Sequence, residues 1–167
     1  MIVVCGLRHA QEQIDHHKAA SVIGILGPET THPTYRGIAE AKHLKLTFND
    51  INEEAVGMQA ASADDVDRLL SFITAWDKKA PLLIHCWAGI SRSTASAFAA
   101  LCLLQPQEDE LKLAQILRAA SPSATPNRLI TKHVDDRLGR KGRMSHAVES
   151  IGRGVNAYEG TPFVLKF

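Results

Sequence analysis

Cysteine is scarce in this chain of 167 residues. Cys5, Cys86 and Cys102 are the full set, odd in number and too few for a disulfide framework, so reduced thiols and a cytoplasmic setting are expected. A surplus of one charge is lacking as well. Nineteen Lys and Arg against eighteen Asp and Glu give a formal net charge of +1, without the electrostatic footprint of a general nucleic-acid binder. No apolar run is long: Met1 to Leu7 turns polar at Arg8 and His9, too short for a signal-peptide core or a membrane span. Internal repeats and low-complexity tracts are absent too. The eight histidines are dispersed without zinc-ligand spacing, so neither a metal nor another cofactor is expected. What remains is the profile of one globular domain over residues 1–167, long enough to bury a single core.

Local patterns alternate between strand and helix in the first two thirds of the chain. Ile2 to Leu7 is rich in Val and Ile and reads as a strand, Ala10 to Ala20 as a surface helix, and Val22 to Leu26 as a second strand. Gly27 to Pro33 has the composition of an exposed loop. Leu44, Leu46 and Phe48 then alternate with Lys45, Thr47 and Asn49, the period of a strand with one buried face, which puts Asp50 just past its end. Ser62 and Asp65 form a capping-box pattern ahead of Val66, Leu69, Leu70, Ile73 and Trp76, predicting a helix over residues 63–76. Pro81 to His85 suits a buried central strand, and the Ala, Phe and Leu residues from Arg92 to Leu104 suit a buried helix. Helices over 108–120, 127–138 and 144–151 follow. The fold class this predicts is an α/β single-domain sandwich: a small, mainly parallel central sheet flanked by helices.

The chemistry concentrates where the central strand turns into the buried helix, at HCWAGISRS, residues 85–93. Amides at a helix N-terminus have no intrahelical acceptor, and successive turn amides make a concave nest for oxyanions. Trp87, Ala88, Gly89, Ile90, Ser91 and Arg92 supply such donors, with Gly89 free of a side chain where the backbone must bend or approach closely. The same positive field and a nearby cation favour a thiolate at Cys86. The planar guanidinium of Arg92 pairs two donors with two phosphate oxygens, and the Ser93 hydroxyl can steady the sulfur. His85 reads as a structural hydrogen-bonding neighbour.

These nine residues match HCxxGxxR(S/T), and the chain resembles the cysteine-dependent protein tyrosine phosphatase superfamily, most closely its dual-specificity branch. The resemblance implies a loop that binds phosphate, Cys86 as nucleophile through a cysteinyl-phosphate intermediate, and a general-acid aspartate on an upstream loop. The segment LTFND at 46–50 resembles the strand and loop carrying that acid, which makes Asp50 the candidate. Asp64 and Asp65 compete for the role, but helix capping already accounts for them. Pro126 and Asn127 resemble a Pro-Asn pair found before a late helix in many dual-specificity enzymes. The implied substrate is a phosphorylated protein or peptide, phosphotyrosine first, with phosphoserine and phosphothreonine also admissible. Alternatives are a phosphatase of phosphoinositides or RNA 5′-phosphates, and a catalytically inactive module that only binds phosphate.

Several features have plainer readings. Cys5 and Cys102 read as core residues, with Cys5 a remote candidate as redox partner of Cys86. Arg137, Arg140, Lys141 and Arg143 form a basic cluster that either borders the pocket or is a solvated face. The segment Val155 to Phe167 is expected to pack on the domain.

Overall fold

A computed structural model describes residues Met1–Phe167. Its centre is a five-stranded sheet built from β1 (Ile2–Gly6), β2 (Ser21–Leu26), β3 (His43–Thr47), β4 (Leu82–Cys86) and β5 (Phe163–Leu165), in the spatial order β3-β2-β4-β1-β5. The first four strands are parallel, and β5 joins β1 antiparallel through Ile2 opposite Leu165. Strand β4 is therefore central, and the register of Cys5 with His85 and Gly6 with Cys86 ends β1 and β4 side by side.

The strands alternate their side chains between two packed faces. Ile2, Val4, Ile23, Ile25, Ile84 and Cys86 point into the larger core. Val3, Cys5, Val22 and Leu83 point into a smaller one, completed by Ala10, Ile14 and Tyr35. Helix α1 (Ala10–His17) covers the smaller face, while α2 (Ala63–Ala75), α3 (Arg92–Leu104), α4 (Glu110–Ala120), α5 (Arg128–Leu138) and α6 (Arg143–Ile151) contribute to the larger. Helix α3 is buried from Arg92 to Cys102, and its alanines at 95, 97, 99 and 100 allow close approach to its neighbours. Each large apolar side chain buried here, such as Phe98 or Ile84, contributes about 1.5–3 kcal/mol. No helix is long and apolar enough to cross a membrane.

The α2 capping box forms as the sequence predicts: Asp65 N–H donates to Ser62 Oγ at 3.1 Å, and Ser62 N–H to Asp65 Oδ2 at 3.0 Å. Helix α1 ends earlier than its composition suggests. Lys18 takes a left-handed conformation (φ 56°) that turns the chain into β2, so Ala19 and Ala20 lie outside the helix. The basic cluster does not gather around Cys86, nor is it wholly a solvated face. Arg140 is buried and donates to Glu110 Oε1 at 2.9 Å and to the Cys102 carbonyl at 2.8 Å, Arg143 Nε donates to the same carboxylate, and Arg137 pairs with Asp67. The cluster ties α6 and α5 to α4, α3 and α2.

Candidate active site

The loop between β4 and α3 has its carbonyls occupied from outside. Leu7 N–H donates to Trp87 (3.0 Å), Gly160 N–H to Ala88 (2.8 Å), Thr125 N–H to Ile90 (2.9 Å), and Asn127 N–H to Ser91 (3.3 Å). The Thr94 hydroxyl adds bonds to the Ile90 and Ser91 carbonyls. Peptide N–H and C=O point in opposite directions, so anchoring carbonyls outward turns amides inward. The amides of Trp87, Ala88, Ile90, Ser91 and Arg92 donate to no protein acceptor. Together they form an anion cradle at the N-terminus of α3.

Gly89 makes this curvature attainable. Its φ is +74°, and a Cβ there would lie 2.6 Å from Gly6 N and 2.7 Å from the Cys5 carbonyl carbon. Close packing of the loop on the end of β1 thus excludes any side chain. Its N–H donates to Cys86 Sγ at 3.2 Å.

Cys86 is buried at the cradle floor, where its sulfur also shares a 3.1 Å hydrogen bond with the fully buried Ser93 hydroxyl. Arg92, on the first turn of α3, folds back over the loop. Its Nη1 donates to the Phe48 carbonyl at 2.8 Å, while its buried Nε has no hydrogen-bond partner and stands 3.8 Å from Asp50 Oδ2. A guanidinium held by one donor with others unspent is prepared for an anion in the cradle.

Asp50 arrives from the other side of β4. Strand β3 stops at Thr47, Phe48 N–H donates to the Leu26 carbonyl, and Asn49 N–H donates to the Gln59 carbonyl at 2.7 Å. These bonds fix the start of the loop that presents Asp50. Its Oδ1 accepts from Ser91 Oγ (2.7 Å) and from Asn127 Nδ2 (2.9 Å), which leaves Oδ2 toward Arg92. Asn127 also donates to the Ile51 carbonyl and, as N-cap of α5, accepts from Ile130 N–H at 3.0 Å. The structure thus gathers Cys86, Arg92, Ser93, Asp50, Ser91 and Asn127 at one place. Asp64 and Asp65 belong instead to the first turn of α2.

His85 faces away, into the opposite core, where Nε2 shares a 2.9 Å hydrogen bond with the Tyr35 hydroxyl. Burial holds its imidazole neutral, lowering its pKa to about 3. His43 lies beside Tyr35 and is likewise pushed down to about 4 by burial. Cys5 points into this second core, on the other face from Cys86, and burial raises its thiol pKa strongly. Side chains on opposite faces of a sheet do not meet the geometry of a disulfide. The part played by Tyr35 escapes sequence reasoning, because it lies in an irregular loop fifty residues before its partner. The cap role of Asn127 does carry a signal, an Asn directly ahead of the apolar periodicity of α5.

No family model and no curated protein sequence matches this chain. Solved structures do. DUSP15 aligns at 19% identity over 89% of this chain and 90% of its own, with a TM-score of 0.66. Human DUSP28 aligns at 17% over 84% and 92% (TM-score 0.63), and the Yvh1 phosphatase domain from Chaetomium thermophilum at 19% over 86% and 93% (TM-score 0.62). The likeness is one of fold, and it spans nearly the whole of each chain: this protein has the dual-specificity phosphatase fold, as the resemblance of residues 85–93 implies.

Proposed function

We propose that residues 1–167 form a single catalytic domain of the cysteine-dependent phosphatase superfamily, hydrolysing phosphate monoesters, with protein phosphotyrosine as the leading substrate and phosphoserine or phosphothreonine admissible. One observation carries the reading: Cys86 Sγ lies at the floor of a cradle of unspent amides, with Arg92 and Asp50 at its rim. A fold alone is compatible with many activities, and it is the side-chain constellation that argues for this one.

The cradle and Arg92 hold the phosphoryl oxygens and take up charge that grows in the transition state. The Cys86 thiolate attacks phosphorus as the bond to the ester oxygen breaks, and Asp50 gives that oxygen a proton from Oδ2 while Ser91 and Asn127 hold Oδ1. Water then attacks the cysteinyl phosphate, Asp50 takes its proton, and phosphate departs. The Ser93 hydroxyl donates to the sulfur as it leaves as thiolate. A module that only bound phosphate would need the cradle and Arg92 but not a held carboxylate or Ser93 on the sulfur. Three free, buried cysteines fit a reducing, cytoplasmic compartment.

Hydrolysis of a small aryl phosphate between pH 5 and 8 tests this. Turnover that persists with a chelator and vanishes in Cys86→Ser is the expected result. Equal turnover in both proteins refutes the thiolate mechanism.

A further inference from the structure

The phosphate loop carries an exposed indole. Trp87 is 46% exposed although its neighbours Cys86 and Gly89 are buried, and Tyr158 stands edge-on against it at 5.6 Å between ring centroids while 81% exposed itself. The pair lines a small cleft with Leu7, Arg8 and Glu159. Glu159, largely buried, accepts from Arg8 Nε at 3.0 Å, and Gly160 N–H bonds the Ala88 carbonyl, so the chain just after Tyr158 is tied both to the end of β1 and to the loop. Exposed aromatics paired edge-to-face are characteristic of recognition surfaces.

Topology says which part of a ligand reaches it. Leu7 follows β1, whereas Asp50 follows β3, and β4 with its loop lies between them. The leaving group must lie on the Asp50 side, where its oxygen is protonated. The cleft is on the other side, yet one of its lining residues, Trp87, contributes its own amide to the cradle. A ligand that fills it while its phosphate sits on Cys86 therefore extends past the phosphoresidue, as a peptide does at about 3.3 Å per residue.

We infer that the Trp87–Tyr158 cleft seats an aromatic side chain flanking the phosphoresidue of a peptide substrate. The inference rests on the phosphatase reading for the placement of phosphate, and it adds a specificity subsite to which the segment before β5 contributes Tyr158 and Glu159. Arg8 closes the outer edge with its guanidinium open to solvent.

The test is a panel of phosphotyrosine peptides carrying Phe or Ala at each of the two positions before and after the phosphoresidue. The wild-type chain is expected to prefer Phe at one position by about fivefold to tenfold in kcat/KM, the scale of one aromatic contact. Tyr158→Ala should cut that preference to below about twofold, and Tyr158→Phe should keep it, with turnover of p-nitrophenyl phosphate unchanged in both. Absence of a Phe preference, or one that survives Tyr158→Ala, overturns the subsite. Titrating the same panel against Cys86→Ser reads the subsite by Kd without turnover. Phe-selective binding by a chain whose wild type hydrolyses nothing would defeat the phosphatase reading and leave the subsite standing.

Discussion

Replacing Gly89 by alanine should damage the cradle through one carbon atom. The new Cβ would meet Gly6 N at 2.6 Å and the Cys5 carbonyl carbon at 2.7 Å, both backbone atoms of the interior strand β1. The loop must retreat by about 0.8 Å to restore ordinary contact at 3.4 Å. An L-residue at φ +74° costs a further 1–2 kcal/mol or so. Retreat weakens the Leu7 to Trp87 bond that turns one cradle amide inward and draws the Gly89 N–H from the sulfur. A displacement near 1 Å at reacting groups lowers rate by about a hundredfold, so kcat/KM for an aryl phosphate should fall by that order. Stability should drop by about 2–3 kcal/mol, read as a lower urea midpoint. Alanine at 89 with kcat/KM within about twofold of wild type and an unmoved midpoint would refute the claim that contact with β1 sets the loop's curvature.

Asp50→Asn keeps the side chain's shape but removes the acid proposed above, and is expected to lower kcat by about 10²–10⁴-fold while vanadate still inhibits residual turnover. Glu110→Ala leaves Arg140 buried with its main partner gone and should cost about 3 kcal/mol in urea denaturation, with KM unchanged. Acid should weaken the fold through His85. Its folded pKa, about 3, lies below the ordinary 6.5, so the unfolded chain binds the extra proton; stability is intact above 6.5 and is lost as pH falls toward 3. The loss is about 1.4 kcal/mol per pH unit at most, and a thermal midpoint flat between pH 5 and 7.5 would contradict it.

Much of the fold is legible because its signals are local. The capping box at Ser62, the apolar run before Cys86 and the small-residue helix after it each carry their own instruction, and the structure builds them within a residue or two. What stays hidden depends on partners far along the chain. Phe163–Leu165 is too short to announce a strand and becomes one because β1 offers it an edge. Arg140 has the composition of a surface residue and is buried because Glu110, thirty positions earlier, is buried with it. At the site, residues 85–93 identify the cradle directly, whereas the link from Asn127 to Asp50 spans 77 positions and has no periodic trace. Helix α1 shows the opposite case, in which Ala19 and Ala20 favour helix and the turn into β2 overrides them.

The cradle's carbonyls are held by residues 7, 125, 127 and 160, drawn from the beginning, middle and end of the sequence. During synthesis, Cys86 and Arg92 leave the ribosome well before residue 160 does, so the loop's last outer clamp arrives late. Until then the loop around Cys86 lacks one of the bonds that turn its amides inward. The inward turn of the loop's amides is thus set in part by a backbone bond from Gly160, a position far along the chain from Cys86.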